Sequence, residues 1–237
     1  MKRSKAPSWY PIHRKEYKWI IKPSPGPHPI SESLPLTIIL REVLSYASNV
    51  REVKYILNRG YVKVDGRIIK DHRFPVGLMD ILELVPEKKF FRMLPKPDVG
   101  IYPFEISVDE SIIKPCKVKV KKKVKGGVIQ FTFHDGRSIL EKDVDKACKV
   151  KPGDTLLLNI NEGGIIDHIP LERGILAIIT HGKKLGFTGR IVEILQPSKL
   201  REKVVQLKLR DDVVIQTVKS YVFPIGREKP VISLVGG

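Results

Sequence analysis

The chain has 237 residues, and 43 Lys and Arg against 26 Asp and Glu leave a formal charge of +17 with a pI near 9.8. A hydrophobic content of 42% supports packed cores and excludes a wholly disordered chain, and no apolar run approaches the ~18–20 residues that span a bilayer. Two cysteines, Cys116 and Cys148, exclude a disulfide framework and a CxxC metal knuckle and fit a reducing, cytoplasmic setting.

Excess positive charge calls for a polyanion. Nucleic acid is the expected partner, because each phosphate contact releases condensed counterions. No long basic amphipathic helix points to a membrane surface. Composition divides the chain into segments 1–34, 35–98, 99–172 and 173–237, with net charges of +5, +4, +1 and +7. The positive potential therefore gathers at the two ends.

Segment 1–34 carries Pro7, Pro11, Pro23, Pro25, Pro27 and Pro29, which interrupt helix and strand alike. Both tryptophans, Trp9 and Trp19, lie here among Lys2, Arg3, Lys5, Arg14, Lys15 and Lys18. Cations interleaved with aromatics neutralise phosphates and stack on unpaired bases, so the segment reads as an arm that orders on binding RNA.

Leu36, Ile39, Leu40, Val43, Leu44 and Ala47 form one helical stripe, with Arg41 beside it. Asn49 and Glu52 are spaced as a capping box for a second helix that buries Val50, Val53, Ile56 and Leu57. Asp65-Gly66 predicts a type I′ turn between two short strands. The polar positions left over are basic: Arg51, Lys54, Arg59, Lys63, Arg67, Lys70 and Arg73. Pro86, Pro95 and Pro97 mark residues 86–98 as a linker.

From Cys116 the pattern alternates, with Cys116, Val118 and Val120 facing one way and Lys117, Lys119, Lys121 and Lys123 the other. Seven lysines between Lys114 and Lys125, with no acid among them, predict a cationic ribbon. Turns at Asp135-Gly136 and Lys151-Pro152-Gly153-Asp154 predict a small antiparallel β domain. Further on, an apolar strand leads to a loop with Gly182, Gly186 and Gly189, lined by Lys183, Lys184 and Arg190, and a β-branched strand follows. A P-loop would need Gly-Lys-Ser/Thr feeding a helix, so phosphate cradling of that kind is excluded.

The stretch from Leu36 to about Leu84 resembles the alpha-L RNA-binding motif of bacterial ribosomal protein S4 and of several RNA-modifying enzymes. Asn49-Val-Arg51-Glu-Val-Lys54, Gly60-Tyr-Val-Lys-Val-Asp65-Gly66 and Val76-Gly77-Leu-Met-Asp80 carry the likeness, the last departing from the family's Gly-Asp pair by inserting Leu78-Met79. The glycine loop resembles the KOW motif, which sits on an SH3-like barrel in ribosomal proteins and transcription elongation factors. Arm, alpha-L module, β domain and KOW barrel in that order resemble the archaeal and eukaryotic small-subunit ribosomal protein family S4e.

The resemblance implies a structural, non-catalytic constituent of the small ribosomal subunit, working in the cytoplasm, that touches rRNA and neighbouring ribosomal proteins. The expected fold is α+β and multi-module: a helix-hairpin module, a small antiparallel β domain and an SH3-like β-barrel. No nucleophile elbow, HExxH or metal-ligand spacing is present, so no cofactor, metal or small-molecule substrate is expected. The alternatives are an RNA-modifying enzyme of the pseudouridine-synthase type and a KOW-bearing transcription factor. The first should carry a nucleophilic aspartate in an Arg-Leu-Asp context, whereas this chain has Leu209-Arg210-Asp211.

Overall fold

The computed structural model describes residues 1–13, 15–97, 99–196, 202–209 and 213–234. The chain folds as two compact units, Met1–Lys114 and Pro115–Gly237. Both are mostly β with few helices, an α+β arrangement in several modules.

In the first unit β1 (Ser33–Pro35) leads into α1 (Leu36–Ile38), which continues as a π-turn over Ile39–Val43. The predicted helix is thus shorter and wider than its stripe implied. Leu44 N–H reaches back five residues to Ile39 O, and Ser45 ends the segment at φ 56°. Thr37 and Ile38 are buried beside Leu36, Ile39 and Leu40, so this segment is enclosed rather than amphipathic.

Helix α2 (Val50–Asn58) starts as its cap predicts. Asn49 Oδ1 accepts from Glu52 N–H at 3.0 Å, and Glu52 answers one residue further out, at Ser48 N–H (2.7 Å). Next come β2 (Val62–Val64), β3 (Arg67–Ile68), β4 (Pro75–Gly77), β5 (Ile81–Leu84), β6 (Lys89–Lys96) and β7 (Gly100–Ile106). Asp65 (φ 48°) and Gly66 (φ 77°) close the two-residue turn in which Val64 faces Arg67, as expected. Strands β3-β2-β5-β6-β7 make one sheet, and β1 pairs antiparallel with β4.

The linker reading of residues 86–98 gives way to strand β6, paired antiparallel to β7 from Phe90↔Ile106 to Lys96↔Gly100. Burial of Phe91, Met93 and Leu94 outweighs the one ladder donor that Pro95 lacks. Residues read as a free arm also pack inward. Ala6, Tyr10 and Ile20 join the core formed by Leu34, Leu36, Leu57, Val62 and Leu82. Arg14 and Asp98 lie outside the described residues.

In the second unit β8 (Ile113–Lys123), β9 (Ile129–Phe133), β10 (Ser138–Glu141), α3 (Val144–Lys149), β11 (Thr155–Asn159) and β12 (Ile165–Ile169) build a sheet of order β10-β9-β8-β11-β12 with the helix against it. Its core is Cys116, Val118, Phe131, Phe133, Ala147, Leu156 and Leu158. A second sheet of order β16-β15-β14-β13-β17 follows, from β13 (Leu176–Ile179), β14 (Thr188–Leu195), β15 (Val204–Lys208), β16 (Val214–Val218) and β17 (Val222–Gly226). All four of its pairings are antiparallel.

Candidate nucleic-acid interface

The cations singled out in the sequence, Arg14 apart, divide by their place among the described residues into three sets. The first set lies on the solvent side of the first unit. Val53 and Leu57 point α2 into the core, so Arg51 and Lys54 stand exposed on the opposite face. Arg59 is exposed with its guanidinium 5.2 Å from the Tyr55 ring centroid, and Arg67, Lys70 and Arg73 are exposed on the hairpin and its continuation. Lys63 is half-buried and paired with Glu83 at 3.0 Å.

His72 lies half-buried beside these cations. Burial and then the Lys54 ammonium push its pKa down, and Arg73 acts the same way, while Asp71 opposes them. Burial is the larger cause of this lowering and the neighbouring cations the smaller.

The second set comes from the N-terminal segment. Lys2, Lys5, Lys15 and Lys18 are exposed, as is Trp19. Trp9 and Arg3 are not exposed. Trp9 is half-buried, its Nε1–H donating to Ser31 O (3.1 Å) and its ring edge-on to Tyr10. Arg3 is 1% exposed, donating to Glu42 Oε1 at 3.3 Å. Arg41 is half-buried and donates to the same oxygen at 2.6 Å.

The third set lies in the second unit, where the expected ribbon breaks. Register pairs Val118 with Phe133 but Val120 with Thr132, a β-bulge that uses one extra residue of β8. Beyond it the facing alternates in the opposite sense. Lys121 now pairs with buried Phe131, whereas Val120 is 37% exposed. Lys121 Nζ accordingly reaches the carbonyls of Ala147, Cys148 and Val150 at 2.8, 3.2 and 3.0 Å, compensating the negative end of α3.

Lys117 Nζ donates to Ser220 O and Val222 O, both at 2.7 Å, and burial, then neighbouring Lys219, lowers its pKa to about 8. The ammonium groups of Lys117 and Lys121 are thus engaged by carbonyls within the second unit. Lys119, Lys122 and Lys123 remain exposed.

In the glycine loop Lys183 and Lys184 are exposed, the latter 5.5 Å from the Phe187 ring centroid. Arg190 is exposed, and its guanidinium donates to Gly174 O, Arg227 O and Glu228 O. Gly182 and Gly186 both adopt φ of 85°, the conformation that favours glycine. Gly189 answers a different need, since a Cβ there would lie 2.6 Å from Lys208 O on β15.

Three features escaped sequence reasoning. Arg92 is fully buried, bonded to Glu110 and to Ile113 O, and Lys114 is fully buried between Asp65 and Asp80. Cys116, His134 and Asp135 bring one potential ligand atom each within 4.8 Å of one another. Here Asp135 Oδ1 accepts from Arg137 N–H, Asp135 Oδ2 from the Cys116 thiol, and His134 Nδ1 from Lys117 N–H, which ties the hairpin turn to β8. No sequence signal marks the long-range pairings among these, because they join residues far apart or on different strands.

Residues 87–165 match the Ribosomal family S4e, and residues 1–31 match the RS4NT domain. The small ribosomal subunit protein eS4 of Ignicoccus hospitalis is 43% identical over 242 residues, covering 100% of this chain and 95% of that protein. The eS4 protein of Pyrobaculum arsenaticum is 43% identical over 235 residues, covering 99% and 98% respectively. The crystal structure of the 30S ribosomal protein S4e from Thermoplasma acidophilum superposes with a TM-score of 0.69 at 28% identity, covering 82% of this chain and 95% of that one. Neither the pseudouridine-synthase nor the transcription-factor alternative finds support in these likenesses. Similarity of this extent, over a fold of the same kind, places the chain in the ribosomal family S4e.

Proposed function

We propose that the chain is a structural constituent of the small ribosomal subunit that binds and stabilises rRNA through phosphate and shape contacts, without catalysing a reaction. The observation that carries this reading is the exposed set Arg51, Lys54, Arg59, Arg67, Lys70 and Arg73, on a helix followed by a hairpin. Cations on such a scaffold straddle RNA backbone, while the deep A-form major groove keeps side chains from reading sequence there.

On this reading Leu36 to about Leu84 acts as an alpha-L module, preceded by the N-terminal segment 1–34 and followed by a central β domain. The sheet from β13 to β17 acts as an SH3-like KOW barrel presenting Lys183 and Lys184. Neighbouring ribosomal proteins are the remaining partners, and the ribosome in the cytoplasm is the site of action.

Filter binding of the purified chain to small-subunit rRNA across a salt series tests the reading. If about six phosphates are neutralised, log affinity falls with log salt at a slope near −4 to −5, from about 0.7–0.9 per phosphate. An affinity indifferent to salt would overturn it.

A further inference from the structure

The N-terminal segment is fastened as a short ribbon. Arg3 N–H donates to Lys18 O (3.0 Å), Ile20 N–H to Met1 O (2.9 Å), and the Met1 ammonium to Ile20 O (2.8 Å). Beside this ribbon Arg3, Tyr17, Lys18, Trp19 and Arg41 line a cleft of about 350 Å³. That volume falls at the small end of the ~300–1,000 Å³ typical of ligand sites.

The lining is of two chemical kinds. Tyr17 and Trp19 are 63% and 61% exposed, an unusual state for such large rings. Arg3, Lys18 and Arg41 supply positive charge, and among the described residues no acid lines the cleft. Glu42 is shared, its Oε1 accepting from Arg3 Nη2 at 3.3 Å and Arg41 Nη2 at 2.6 Å, and Glu16 Oε2 stands 3.7 Å from Arg3 Nη2. Two carboxylates against three cations leave the place net positive.

Arg3 is the decisive residue. It is 1% exposed, yet its Nε and Nη1 have no hydrogen-bond partner among the described residues. The Tyr17 ring covers the guanidinium, 5.4 Å from its central carbon. A desolvated guanidinium with idle donors is costly, and an anionic acceptor would relieve that cost.

We propose that this cleft receives one unpaired nucleotide of RNA, its base stacked on Tyr17 and Trp19 and its phosphate held by Arg3, Arg41 and Lys18. The inference rests on the RNA-binding reading above and names a subsite within it. Tyr17 is exposed enough to swing aside without unpacking the core, so the ring that shields Arg3 becomes a stacking surface once the phosphate enters. A phosphate offers several charged acceptors to the idle nitrogens, and the planar base matches the two rings. A fully paired strand keeps its bases inside the helix and cannot fill the site.

The test uses the full chain and three stem-loop RNAs: fully paired, with a single-nucleotide bulge, and with an abasic residue at the bulge. The bulged RNA should bind roughly tenfold tighter than the other two, as expected for one added base stack. Trp19→Ala and Tyr17→Ala should each abolish that advantage, so that the bulged and abasic RNAs bind each variant equally well. Arg3→Gln should do the same, but because Arg3 is buried, the two exposed aromatic variants carry the test. Equal affinity for bulged and abasic RNAs, with ordinary salt dependence, overturns the subsite while RNA binding stands. Failure to bind any of the three overturns both readings. Competition by free nucleoside monophosphates as strong as by the bulged RNA would assign the cleft to a free nucleotide and overturn the RNA assignment.

Discussion

Lys114 Nζ lies 2.7 Å from Asp80 Oδ1, and the same ammonium lies 2.7 Å from Asp65 Oδ2, with the lysine wholly excluded from solvent. Asp65 is the first residue of the type I′ turn and Asp80 closes the turn into β5, so one cation ties two turns together. Asp65 Oδ1 accepts from Ile81 N–H and Asp80 Oδ2 from Gly77 N–H, which leaves these carboxylates well bonded. Replacing the cation by an apolar residue strands two buried negative charges. We expect Lys114→Met to lose about 3–5 kcal/mol of stability, the usual result of breaking a buried pair on one side. Urea unfolding measures it, and adding Asp65→Asn and Asp80→Asn to Lys114→Met should recover most of the loss.

Acid should attack the same place. Burial by itself would push the Asp80 carboxyl up, but Lys114, His28 and the Gly77 N–H together hold it far below the usual carboxylate range. Its folded pKa is therefore lower than its unfolded value of about 3.9. Such a group contributes its full stabilisation above the unfolded pKa, and that contribution fades as pH falls toward the folded one. Urea midpoints should therefore drop from pH 5 to pH 2, and Asp80→Asn should flatten the dependence. A wild-type midpoint constant over that range would contradict this account.

Local signals were legible where one short stretch decides the outcome. The Asn49 cap, the Asp65-Gly66 turn and the strands flanking Gly182–Gly189 follow from propensity and turn chemistry alone. Long-range choices were not. Pro95 suggested a linker because its missing donor is visible in the sequence, while the β7 partner that makes the strand worthwhile is not. Arg3, Lys114, Lys117 and Lys121 look like any surface cation until the acids and carbonyls that hold them come into place. The exposed helix cations were the easier reading, because the apolar stripe of α2 fixes their direction.

Gly77 bears on the same network from the opposite side. A Cβ there would sit 2.3 Å from the His28 ring, which lies against Asp80 with Nε2 2.9 Å from Oδ2. The two residues inserted between Gly77 and Asp80 leave this meeting intact, because Met79 takes a φ of 63° and lets the turn close. Gly77→Ala should therefore displace the imidazole and cost about 1–3 kcal/mol, as overpacking does. In a double-mutant cycle His28→Ala should absorb much of that penalty, since it supplies the missing space. Strict additivity of the two changes would show that the ring and the glycine do not share a constraint.

The bulge in β8 makes opposite predictions for lysines only two residues apart. Lys119 precedes the shift and is exposed, whereas Lys121 follows it and holds three carbonyls at the end of α3. Lys119→Ala combined with Lys122→Ala should weaken rRNA binding and lower the salt slope by about 1–2, one phosphate per lysine removed. Thermal stability should stay within about 0.5 kcal/mol of wild type, as for ordinary surface changes. Lys121→Ala should show the reverse. It removes a charge-assisted carbonyl cluster and should destabilise the second unit by about 1–3 kcal/mol, leaving the salt slope alone. Lys121→Arg cannot place three donors on three converging carbonyls as an ammonium does, so it should rescue only in part. A salt slope that falls equally for Lys119→Ala and Lys121→Ala would restore the continuous cationic ribbon, and the bulge would then have no bearing on RNA contact.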